Sequence, residues 1–82
     1  MTELYDLPIE VRLAREGKVE AVRLPGGWRL VTRHLNRWLV EVDWWRRPVR
    51  RDYRRCRLSD GDCVELYRDL DTDAWHLARR YD

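Results

Sequence analysis

Seven arginines lie between Arg46 and Arg57, directly after the tryptophan pair Trp44-Trp45. A guanidinium is a planar fork of donors that fits phosphate or carboxylate and stacks on aromatic rings. An indole adds a large apolar face with one N–H donor. Together they suit two kinds of recognition. They can follow a nucleic-acid backbone while bases stack on the rings. They can also anchor a protein partner, where Trp and Arg carry much of the binding energy. The plain structural alternative is a solvated strand face neutralised by the acids that follow. The candidate contact residues are Trp45, Arg46, Arg47, Arg50, Arg51 and Arg54. Arg46 to Arg51 precede the strand that has acidic neighbours, so neutralisation accounts for them least. Adjacent strand residues point to opposite faces, and the parity of Trp38, Val40 and Val42 makes Trp45 the exposed member of the pair.

Other chemistry finds less support. Asp60, Asp62, Asp69, Asp71 and Asp73 sit at turns, where Asp bonds its own backbone. The stretch RDLDTDAW lacks the Gly and the distal Glu of an EF-hand loop. Cys56 and Cys63 with His34 and His76 do not have metal-ligand spacing. Ser59, the single serine, belongs to a turn, and no nucleophile with a neighbouring base is evident. The sequence therefore predicts no enzyme activity, no metal and no cofactor.

The 82 residues carry 17 basic and 15 acidic side chains, a net of +2, which selects no partner. The distribution says more. Residues 46–57 hold seven Arg and one Asp, and residues 58–82 hold three Arg and seven acids. Of the basic residues all but Lys18 are Arg, a bias that codon usage also explains. A chain this short buries only about 60–65 % of its unfolded surface, so one domain over 1–82 is expected, with a thin core of Trp, Tyr, Val and Leu.

The elements read as short strands. The first seven residues are expected to form an irregular arm. EVRLAREGKVEAVRL alternates around Glu16-Gly17 and reads as a hairpin, LPGGW is a second turn, and WRLVTRHL a third strand. Leu35, Trp38, Leu39 and Val42 fit a helical stripe. Trp38, Val40, Val42 and Trp44 fit strand alternation, which the Val and Trp content favours. Pro48 is expected to end that strand. YRRCRL and CVELYRDL flank SDGD. A two-residue Asp60-Gly61 loop would set Leu58 opposite Cys63, Arg54 opposite Tyr67, and Cys56 diagonal to Cys63. AWHLARRY closes the chain with Trp75 and Leu77 inward. The expected class is mainly β: a small antiparallel sheet, sandwich or partly open barrel of six or seven short strands.

Several of these residues also form a family-like pattern. Trp44-Trp45, Arg50 to Tyr53, Ser59-Asp60-Gly61, Tyr67-Arg68-Asp69, Trp75 and Tyr81-Asp82 follow one another as short strands and turns. In this, residues 38–82 resemble the C-terminal domain of ImuB-type proteins, catalytically inactive relatives of Y-family polymerases, and the small stand-alone uncharacterised bacterial proteins that share the segment. The resemblance implies a docking module in bacterial translesion DNA repair and DNA damage tolerance, with a protein partner in a repair complex. It implies no polymerase activity, since the metal-binding carboxylates of a polymerase palm lie outside the segment. Direct binding of single-stranded or damaged DNA is the alternative. MTELYDLPIE has neither a basic nor an apolar leader region, and no run approaches the ~20 apolar residues of a spanning helix. The expectation is a cytoplasmic protein with reduced thiols and no membrane contact. An exposed edge in so small a sheet also makes a homodimer an expectation.

Overall fold

The computed structural model describes residues 2–44 and 47–81, and every regular element among them is a strand. The order is β1 (Thr2–Pro8), β2 (Val11–Leu13), β3 (Val19–Leu24), β4 (Gly27–Trp44), β5 (Arg47–Leu58), β6 (Cys63–Asp69) and β7 (Trp75–Tyr81). All neighbours are antiparallel, in the spatial order β1-β7-β6-β5-β4-β3-β2. The mainly β class is as expected. No helix among the described residues is long and apolar enough to cross a membrane.

Strand β4 gives the sheet its curl. Gly27 to Leu30 pair with β3, whereas Val31 to Trp44 pair with β5. Irregularities at Val31/Arg33 and His34/Asn36 bend the strand between its two partners, as bulges do. The β2–β3 hairpin thereby folds over one face of β5, β6 and β7 in a half-barrel. Val19, Val22 and Leu24 meet Cys56, Leu58, Val64, Leu66 and Leu77 there, with Ile9, Val11, Val31 and Trp75 at the margin. Each fully buried Val or Leu contributes about 1.5–3 kcal/mol, so this inner face holds the fold together.

Four expectations need correction. Thr2–Pro8 is an ordered strand on β7, not an irregular arm. WRLVTRHL and the segment after it are one strand of 18 residues. Pro48 lies inside β5 opposite Asp43. It is tolerated because β6 reaches β5 only from Arg51 onward, so no ladder there needs its missing N–H.

The fourth correction is the β5–β6 register. The Gly61 N–H donates to the Leu58 carbonyl at 3.0 Å and the Leu58 N–H to the Asp62 carbonyl at 2.8 Å. The loop is therefore three residues, Ser59-Asp60-Gly61, with Gly61 at φ 92°, the left-handed position glycine occupies readily. Arg57, not Leu58, faces Cys63, and Tyr53, not Arg54, faces Tyr67. Cys56 lies opposite Val64, and both thiols are free.

Candidate interaction face

Alternation along β5 sorts its arginines between two environments. Asp52, Arg54, Cys56 and Leu58 turn inward and are buried. Arg51, Tyr53, Arg55 and Arg57 turn to the opposite, outer face, which no described element covers.

Arg54 belongs to the interior. It is 8 % exposed. Its guanidinium donates to the Gly17 carbonyl in the β2–β3 turn at 2.9 Å and to Asp52 Oδ2 at 3.1 Å. It also lies 5.2 Å over the Trp75 ring. Arg37 holds the same carboxylate through both oxygens, at 3.1 and 3.0 Å. Burial pushes the Asp52 carboxyl up, but the hydrogen bonds and charges of Arg37 and Arg54 outweigh it and hold it below the ordinary carboxylate value. Arg54 thus ties the hairpin to the sheet and is withdrawn from the contact surface the sequence assigned it to.

On the outer face the register builds cross-strand rows. The longest is aromatic. Trp38 on β4 stacks on Tyr53 with centroids 5.3 Å apart and planes 6° from parallel. Tyr53 meets Tyr67 at 5.2 Å, and Tyr67 stacks on His76 at 4.8 Å. The Tyr67 hydroxyl donates to Asp6 Oδ1 at 2.6 Å. Burial and that bond push its pKa up to about 12. Arg51 crosses the row, 4.4 Å over the Tyr67 ring and 3.2 Å from the Tyr53 hydroxyl. These rings occupy one another's faces and Tyr67 is 4 % exposed, so the row offers little stacking area to a base.

A charged row runs beside it. Glu65 is 5 % exposed and is held between Arg55 and Arg79, each at 3.3 Å. Arg55 also reaches the rings of Trp38 and Tyr81, at 5.8 and 5.4 Å. Trp38, Val40, Tyr53, Arg55, Glu65 and Arg79 line a shallow groove along these rows. Beyond them Arg33 stands directly opposite Arg57. Both are exposed, and among the described residues neither has an ion-pair partner. Like charges directly across a ladder cost stability, so the fold gives no account of this pair.

The other assigned residues are placed as follows. Arg50 lies 3.7 Å from Asp71, so it has an acidic neighbour after all. Arg51 is engaged with Tyr53 and Tyr67. Arg47 is placed by its backbone, opposite Trp44. Trp45 and Arg46 lie outside the described residues. Sequence reading missed Trp38, Tyr53, Tyr67, His76 and Arg33. The available signal was Ser59-Asp60-Gly61 as a three-residue hairpin loop, which aligns Tyr53 with Tyr67.

The two thiols sit in different surroundings. Burial pushes Cys56 up to about 11, and Cys63 lies on the outer face beside Arg57. Among the described residues no group of three or more His, Cys, Asp or Glu could hold a metal ion. The result is a small all-β domain with one uncovered, arginine-rich aromatic face. No family model, no curated protein and no solved structure matches the chain.

Proposed function

We propose that the chain is a non-enzymatic interaction module that docks an acidic surface of a protein partner on the outer face of β4 to β7. The observation behind this reading is the make-up of that face. Trp, Tyr and Arg, the types enriched at protein interfaces, form a groove that no described element covers. The rings are braced by stacking and by Arg51, so binding would order few side chains and lose little conformational entropy. The resemblance of residues 38–82 to the ImuB C-terminal domain supports a partner in bacterial translesion DNA repair, and hence a cytoplasmic setting.

A second reading is direct contact with single-stranded DNA. It is favoured by the unneutralised Arg33 and Arg57, while the mutual stacking of the rings disfavours base stacking. Titration of fluorescent single-stranded DNA at two salt concentrations separates the two, with an Arg33→Ser/Arg57→Ser variant alongside. Protein docking predicts no binding at moderate salt. Binding that falls by about 1.4 log units per log of salt, as two single-strand phosphate contacts require, and that vanishes in the variant, would replace the first reading by the second.

A further inference from the structure

Strand β4 has an open edge. Its β3 partner stops at Leu30, and from Val31 to Trp44 β5 is the only strand among the described residues paired to it. The Arg50 carbonyl accepts from the Leu70 N–H on the side of β5 away from β4, so Pro48, two residues before it, turns its backbone the same way and the Asp43–Pro48 pair exchanges no hydrogen bonds. Alternation then turns the N–H and C=O groups of Arg37, Leu39, Glu41 and Asp43 toward the open edge. A separate observation agrees. The Arg37 N–H is taken by its own neighbour, Asn36 Oδ1, at 2.9 Å. Short length, proline, a covering loop or charged side chains commonly protect such edges; of these the described residues 37–43 carry only charges, Arg37, Glu41 and Asp43, which a partner strand must match. Leu35, Leu39 and Val42 are 38, 57 and 45 % exposed.

We propose that this edge pairs with the same edge of a second copy, in an antiparallel two-fold dimer with Leu39 opposite the partner's Leu39. The sequence around that point is self-complementary. Arg37 then faces the partner's Glu41, and Glu41 the partner's Arg37, on the inner side. On the outer side Trp38 faces the partner's Val40, twice by symmetry. Centring the axis on Trp38 or Val40 instead sets Leu39 against a charged residue at the middle of the contact; with Leu39 on the axis the one such mismatch, Leu35 opposite the partner's Asp43, falls outside residues 37–41, so the central pairs favour the Leu39 register. Cross-strand partners share a side, so pairing joins the two outer faces into one continuous surface. The contact is a single strand pair, well below the ~1,200 Å² of stable interfaces, so the dimer is weak and concentration-dependent.

Sedimentation velocity over about a hundredfold concentration range tests this, with circular dichroism to confirm folding. The wild type is expected to pass from monomer to dimer. Leu39→Lys and Leu39→Glu, at an exposed position outside the core, are each expected to stay folded and to associate at least about tenfold more weakly, a change of about 1.4 kcal/mol. Mixing the two restores a dimer, because only this axis sets residue 39 against itself. A monomeric wild type overturns the proposal and leaves the edge to a strand of another protein. So does wild-type association by the single variants, or a mixture that fails to associate.

Discussion

Replacing Arg54 by Met keeps most of the side-chain stem but removes the charge that ties the β2–β3 turn to the sheet. Three contacts go: the Gly17 carbonyl at 2.9 Å, Asp52 at 3.1 Å and the Trp75 ring at 5.2 Å. Removing one member of a buried ion pair costs about 3–5 kcal/mol. Asp52 keeps Arg37 on both oxygens, so the lower end, about 3 kcal/mol, is expected. A chain of 82 residues has about 4–12 kcal/mol of stability in all, and each kcal/mol moves Tm by about 4–8 °C at this size. Arg54→Met should therefore lower Tm by roughly 12–24 °C. The double variant Arg54→Met/Asp52→Leu should regain part of the loss, because it leaves no buried carboxylate short of a partner. Thermal and urea unfolding of wild type, single and double variants measure this. A single variant within about 0.5 kcal/mol of wild type, the range of ordinary surface substitutions, would refute the placement of Arg54 in the interior.

Further expectations follow from single features. The Asp52 carboxyl is held below its ordinary 3.8 in the folded chain, so the unfolded chain takes up the proton first. Its stabilisation is complete above about pH 4 and is lost as pH falls toward the folded value, so acid titration of Asp52→Asn should show a shallower acid limb. Gly61→Ala meets no atom within 4 Å but must hold φ 92°, so it should cost about 1 kcal/mol in urea unfolding through the backbone alone. Cys56 is buried, with its pKa pushed up to about 11. Mass spectrometry of protein treated with an alkylating reagent at neutral pH should find Cys63 modified first, and Cys56 only under denaturant.

What sequence alone could supply depended on whether the signal was local. The Gly17 and Gly61 turns and the alternation from Trp38 to Val42 are written in neighbouring residues, and the β class followed from them. The register of β5 on β6 turned on whether the loop holds two residues or three. A slip of one exchanges faces, which hid the Trp38–Tyr53–Tyr67–His76 row. Strand β1 carries no apolar alternation, and its pairing is supplied by the free edge of β7. Arg54 looks like its neighbours in a basic run. Only the fold brings the Gly17 carbonyl, Asp52 and Trp75 around it.

The central claim is that the outer face, and not the covered side, meets a partner. Its most direct measurement is site-specific photo-crosslinking in the native cells. A photoreactive residue replaces Arg57 on the outer face or Glu20, which is exposed on β3, and the adducts are identified by mass spectrometry. The account predicts a discrete protein adduct from position 57, absent from position 20 and lost when Arg33→Ser and Arg79→Ser are added. Adducts of equal yield from both positions, or none from position 57, would contradict it.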